Sequence, residues 1–136
     1  MSSNLNVLVI GTGVYVCGRG TPGHGTILPA IYEWHRRGWR GELFIAGTRA
    51  RGVAEIQEKV AKLNEMYKVE IRPNYFPESS DDAQAYKKAL ARISRPACAI
   101  VVVPDHLHSE VTLEAVHARM HCLVVKPLAA TVGEVK

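Results

Sequence analysis

Four places in this chain set glycine, polar or basic residues directly after a short apolar run. Gly11, Thr12 and Gly13 follow Val7 to Ile10; Gly47, Thr48 and Arg49 follow Leu43 to Ala46; Pro104 to His108 follow Ala99 to Val103; and Lys126, ahead of Pro127, follows Cys122 to Val125. Glycine backbone between an apolar run and a helical segment can take positive φ, approach a ligand closely and aim unpaired amide N–H groups at a phosphate. An arginine adds a planar fork of donors that suits a phosphate dianion in charge and geometry. A lysine closing a strand buried on both faces would cost desolvation free energy, which marks Lys126 as functional.

The glycine stretch invites comparison with G-x-G-x-x-G, the fingerprint of dinucleotide binding. Counting from Gly11, Val16 stands where the third glycine belongs. A complete match, Gly18-Arg19-Gly20-Thr21-Pro22-Gly23, lies several residues beyond the apolar run. Gly18 therefore joins Gly11, Thr12 and Gly13 as a candidate pyrophosphate contact, against the alternative of a surface loop. At the second place an Asp or Glu would hydrogen-bond the ribose hydroxyls of NAD, whereas a small residue followed by Arg leaves room for the 2′-phosphate of NADP. No acid stands at Gly47, Thr48 or Arg49. NADP is favoured over NAD, with Thr48 and Arg49, aided by Arg51, as contacts; a solvated helix start would account for the same arginines.

Asp105, His106 and His108 could ligate a metal, but His24, His117, His121 and Cys122 offer no conventional spacing to complete a zinc set. Capping and positioning are expected of them instead, with no metal. Cys17 has no histidine partner in sequence that would activate it as a nucleophile.

Periodicity supplies the elements that would hold these places. Val7 to Ile10 and Ala99 to Val103 read as strands buried in a parallel sheet, Glu42 to Ala46 and Cys122 to Val125 as two more, and Val69 to Arg72 as a weak third strand confined to an edge by Pro73 and Pro77. Helices are expected from Thr26, over 52–67, over 80–93 with Ser80 as N-cap and Asp81 and Asp82 in the first turn, over 109–119, and after the capping box formed by Thr131 and Glu134. Strands alternating with helices imply a Rossmann-type, doubly wound three-layer α/β domain in the order 3-2-1-4-5. In such a sheet ligands lie beyond the carboxyl ends of the strands, near the switch between the first and fourth. All four chemical stretches fall on that edge.

The 136 residues suit one domain, 1–136, and 47% of them are hydrophobic. No apolar run approaches the roughly 20 residues of a membrane span. The first residues lack the features of a signal peptide, and three unpatterned cysteines suit buried thiols, so a cytoplasmic protein is expected. The formal charge of +4 is scattered without aromatic interleaving, and neither nucleic acid nor membrane is expected as a partner.

The run Ala-Ile-Val-Val-Val-Pro104-Asp105-His106-Leu107-His108, then a helix, then Cys-Leu-Val-Val-Lys126-Pro127-Leu128-Ala129, resembles the nucleotide-binding half of the glucose-fructose oxidoreductase and inositol dehydrogenase family (Gfo/Idh/MocA). There the fourth strand ends in Pro-Asn/Asp-x-x-His and the fifth in Glu-Lys-Pro. The resemblance spans essentially the whole chain and implies NAD(P)-dependent hydride transfer on a sugar, cyclitol or related polyol. It implies that Pro104, Asp105, Lys126 and Pro127 border the cofactor, that His108 lines the nicotinamide pocket, and that Lys126 is catalytic, contacting the substrate oxygen. Val125 replaces the motif's glutamate, and the glycine loop is longer than the family's turn. The family's second domain, which supplies most of the substrate site, a histidine and the dimer interface, has no counterpart in the sequence. The chain is therefore expected to be the cofactor domain of a longer homo-oligomeric oxidoreductase, inactive alone; the alternative is a non-catalytic NAD(P)-binding or sensing module, which would have no need of Lys126.

Overall fold

The computed structural model describes residues 4–126 and 131–135. The strand Asn6–Ile10 (β1) has a parallel strand on either side. Leu43–Ala46 (β2) sets Leu43 opposite Val7, and Ala97–Val101 (β4) sets Val101 opposite Ile10. Asn74–Phe76 (β3) pairs outside β2 and His121–Val124 (β5) outside β4, giving five strands in the expected order β3-β2-β1-β4-β5. The connections contain Val14–Cys17 (α1), Ile27–Arg36 (α2), Ala50–Tyr67 (α3), Ala85–Arg92 (α4), and His108–His117 (α5) after a single 3-10 turn at Asp105–Leu107; Val132–Val135 (α6) follows β5.

Alternation along the strands divides the core into two layers. Val7, Val9 and Ile45 pack against Leu28 and Ile31 of α2 and Ile56, Val60 and Leu63 of α3. Leu8, Ile10, Phe44 and Ala46 face Tyr86, Ala89 and Leu90 of α4 and Val111 and Ala115 of α5. Helices on both faces make the sheet doubly wound and the domain three-layered. At the amino edge of β1, Trp39 is buried, donates its indole N–H to the carbonyl of Leu5 and stacks on Trp34 with ring centroids 5.1 Å apart.

Three elements depart from the expected pattern. The third strand is Asn74–Phe76, beyond Pro73, because Ile71 is held by Asn64 instead: the Asn64 side chain accepts from the Ile71 amide and donates to its carbonyl, both at 3.0 Å. The helix expected over 80–93 begins at Ala85, since the backbone of Asp82 donates to Thr48 at 2.8 Å and its carboxylate accepts from the Gln84 amide at 2.9 Å. That bond, followed by the ion pair with Lys88, holds the Asp82 carboxyl below the usual carboxylate range. Lastly, β5 is an exposed edge strand, with Leu123 60% accessible. Lys126 is exposed as well, and the desolvation argument made for it does not apply. Thr131 does precede a helical turn, Val132–Val135, but the Glu134 side chain and Pro127 lie outside the described residues. No helix among the described residues is long and apolar enough to cross a membrane.

Candidate functional site

At the end of β1 the chain turns between two neighbours that end level with it, Ala46 of β2 and Val101 of β4 both lying opposite Ile10. Gly11 donates to Ala46 of β2 at 2.8 Å, and Val102, just past β4, donates to Ile10 at 2.9 Å. Gly11 sits at φ +131°, and a Cβ there would overlap the Val102 carbonyl oxygen. Only glycine satisfies both conditions. Thr12, 8% exposed, fills the space that side chains at Gly47 and Gly52 would need: its hydroxyl lies 3.0 Å and 2.9 Å from where their Cβ atoms would stand. Gly13 then leads into α1, and nothing lies within 4 Å of the position its Cβ would take. A glycine facing open space beside a helical turn, whose first amides have no intrahelical acceptors, suits close approach by a phosphate.

The complete fingerprint from Gly18 to Gly23 serves a different purpose. Gly18 ends α1 at φ +73°, donating to Val14 at 2.8 Å, and Thr21 donates its hydroxyl to the Gly18 carbonyl at 2.7 Å. Lys59 of α3 donates to the carbonyls of Thr21 and Gly23, tying the loop down. Gly18 does not line the cavity. Arg19 does, a residue that the reading by glycine spacing passed over; its guanidinium pairs with Glu55 at 3.3 Å.

Thr48, after β2, also lines the cavity, while Arg49 takes the N-cap position of α3 in extended backbone, with its side chain exposed. Arg51 is engaged with Glu55 at 3.5 Å; Arg49 makes no ion pair among the described residues. The structure corrects one premise here. Although no acid follows β2 in sequence, Asp81 arrives from the loop before α4 and accepts from the Ala50 amide at 3.0 Å. Its placement was hidden because Asp81 was assigned to a helix of its own.

From the loop after β4, Val102, Val103 and Pro104 line the cavity; Asp105, His108 and Lys126 do not. His108 is 1% exposed, and its Nε2–H donates to the Val103 carbonyl at 2.7 Å, bracing that loop from beneath. His108→Ala would orphan a carbonyl and is expected to destabilise the fold by about 2 kcal/mol, measured by denaturant unfolding; an unchanged midpoint would remove the brace. Cys17 is buried against the Thr12 and Gly13 carbonyls, and burial pushes its thiol up, so it packs the glycine loop as a neutral group.

Together these segments line an open cavity of about 580 Å³ over Ile10, Ala46 and Val102, to which Gln84, Tyr86 and Glu110 also contribute. Gly11 to Tyr15 and Arg19 form one rim, Thr48 the second, Val103 and Pro104 the third. Among the described residues the buried hydroxyl of Tyr86 has no hydrogen-bond partner. An apolar floor and a glycine loop open to phosphate together fit a nucleotide.

Residues 5–136 match the sequence model of the Gfo/Idh/MocA oxidoreductase family, described by its NAD-binding Rossmann fold. The chain belongs to the Gfo/Idh/MocA family. It is thus an NAD(P)-binding Rossmann domain of that family, and its cavity lies at the β1–β4 switch point, where folds of this kind receive ligands. Solved structures share the fold at low identity. The 3-ketoreductase KijD10 from Actinomadura kijaniata, in complex with TDP-benzene and NADP, is 20% identical with a TM-score of 0.56, covering 97% of this chain and 33% of its own. A Gfo/Idh/MocA family oxidoreductase from Vibrio cholerae is 18% identical with a TM-score of 0.58, over 96% of this chain and 32% of its own. The aldose-aldose oxidoreductase from Caulobacter crescentus, complexed with glycerol, is 18% identical with a TM-score of 0.55, over 97% and 32%. The chain therefore spans about a third of the length of these structures. No curated protein matches it.

Proposed function

We propose that this Gfo/Idh/MocA chain binds NADP(H) in preference to NAD(H) and serves an oxidoreductase acting on a sugar, cyclitol or related polyol. The observation that carries this reading is the convergence of the Gly11–Gly13 loop, Thr48 and the Val103–Pro104 loop on one cavity. The glycine loop receives the pyrophosphate, Thr48 and Arg49 receive the ribose phosphate, and Arg19 adds charge at the same rim. Asp105 and His108 act by shaping the loop that carries Val103 and Pro104. A bound nicotinamide would supply the hydride chemistry, accepting hydride at C4 from a carbinol carbon or donating it to the corresponding carbonyl carbon. Lys126 lies past the carboxyl end of β5 and works on the substrate oxygen. KijD10 complexed with NADP supports the choice of cofactor, and the aldose-aldose oxidoreductase supports a sugar-like substrate.

Calorimetric titration of the chain with NADP⁺, NADPH and NAD⁺ tests the proposal. One saturable site, tighter for the phosphorylated cofactor, is expected; absence of binding at millimolar ligand would overturn it. Lys126→Met should change NADP affinity by less than about threefold, because uniform cofactor binding does not depend on a group that acts only on substrate. A tenfold loss would make Lys126 a cofactor contact.

A further inference from the structure

The two edges of the sheet are finished differently. At one, β3 is short and bracketed by Pro73 and Pro77, and Arg92, paired with Glu78 at 2.8 Å, sets its guanidinium 5.3 Å from the Phe76 ring centroid. Brevity, proline and charge are the devices that keep an edge from recruiting another strand. β5, at the other edge, has none of them, since no proline, Lys, Arg, Asp or Glu falls between Met120 and Val125. Val125 donates to the Val101 carbonyl at 3.2 Å. By alternation along a parallel ladder, His121 and Leu123 also turn their N–H and C=O groups to β4, and those of Cys122 and Val124 point outward.

Apolar side chains border these open groups. Leu123, 60% exposed, lies opposite Ile100 on the side of α2 and α3. Over the other face stands α5, whose Glu114 is paired with Lys87 of α4. Helical spacing puts Val116 on the flank away from α4, overlooking β5, with Leu113 next to it. Both are about half exposed. None of Leu113, Val116, Cys122, Leu123 and Val124 lines the cavity.

We propose that the β5 edge is a self-association surface, on which a second copy of this chain pairs its own β5 antiparallel about a two-fold axis at Leu123. In that register Cys122 exchanges both backbone hydrogen bonds with Val124 of the second copy, and Val124 with its Cys122. Every outward group of the strand is satisfied, and the two Leu123 side chains meet as a close, non-hydrogen-bonded pair. His121 falls opposite Val125 and Met120 opposite Lys126, so no like charges are opposed. The two α5 helices then stand two strand spacings apart, roughly 9–10 Å, a normal packing distance for helices, with Leu113 and Val116 in the seam. Such an isologous contact closes at two copies. About ten residues per copy take part, or roughly 700 Å² in all, less than a permanent dimer needs. The dimer is therefore weak, with a Kd on the order of 100 µM.

Sedimentation equilibrium on the ligand-free chain, from about 5 to about 500 µM, spans that value. Wild type should pass from monomer to dimer. Leu123→Lys and Leu123→Glu should each associate at least about tenfold more weakly, because like charges then face each other across the axis. An equimolar mixture of the two should recover to within about threefold of wild type, opposite charges now meeting. Val116→Glu, at the helix seam, should weaken association too, and it keeps the test open should a Leu123 substitution unfold the protein. Met66→Lys, at an exposed apolar residue of α3, should change nothing. Dilute samples of all variants should unfold at the wild-type temperature, since each replaced side chain is already exposed. A wild type that stays monomeric throughout would overturn the proposal and assign the edge to a strand from a different polypeptide. Growth beyond dimers, a mixture no better than its components, or equal damage by Met66→Lys would overturn it as well.

Discussion

Gly11→Ala is expected to lose about 3 kcal/mol of stability or more and to show no measurable NADP binding. Two costs add: an L-residue held at φ +131° adopts backbone open in practice to glycine alone, and the new methyl meets the carbonyl of Val102, which no rotamer change can relieve. Against a typical total stability of roughly 5–15 kcal/mol this is a large fraction. Gly13→Ala separates folding from binding. With ordinary φ and open space around the position of its Cβ, that variant should keep nearly the wild-type urea midpoint yet weaken NADP, because the methyl occupies the path a phosphate would take. A Gly11→Ala protein with the wild-type midpoint would mean that the β1 turn can relax, and the account of the loop would be wrong.

The second large effect is a change of cofactor preference in opposite directions at two neighbouring residues. Arg49→Ala should weaken NADP by about tenfold to hundredfold, the worth of a charge-assisted hydrogen bond, and barely alter NAD. Asp81 accepts from the Ala50 amide next to Arg49, so its carboxylate faces the same incoming phosphate with the wrong sign. Asp81→Asn keeps a hydrogen-bond acceptor for that amide while removing the charge, and should tighten NADP by about three- to tenfold, as expected for like charges at partly screened separations. NAD should hold or weaken slightly in that variant, since a carboxylate near the ribose can accept from its hydroxyls. Calorimetry with both cofactors on the two variants decides the matter. Equal affinity of wild type for the two cofactors, or an Arg49→Ala protein indistinguishable from it, would return Arg49 to a solvated helix start.

The sheet order and the switch point were legible because Val7 to Ile10 and Ala99 to Val103 are apolar without interruption, and such runs have few places to go except between other strands. Gly11, Thr12, Gly13, Thr48 and Pro104 were legible for a related reason: residues that follow a buried strand must emerge at its carboxyl end. Contacts made at a distance were not legible. Asp81 caps a helix that begins 31 residues earlier, and nothing local distinguishes that use from capping its own helix. Gly18 illustrates the converse error, since a motif match counts letters while the loop's path is set by Lys59, far along the chain. Arg19 and Tyr86 gave no local signal at all. Lys126 would be buried only if β5 were an interior strand, and a strand's own residues do not say whether it stands at the edge.

The stacked pair Trp34 and Trp39 has a consequence for spectroscopy. These are the chain's two tryptophans, and Trp39 is anchored to Leu5 at the amino edge of β1, whereas the cavity opens at the carboxyl edge, a strand of five residues or roughly 15 Å away. Their intrinsic emission therefore follows unfolding and stays insensitive to direct contact with a nucleotide. The same sample can report stability through its indoles while occupancy is read by heat, giving two independent signals from one unlabelled protein.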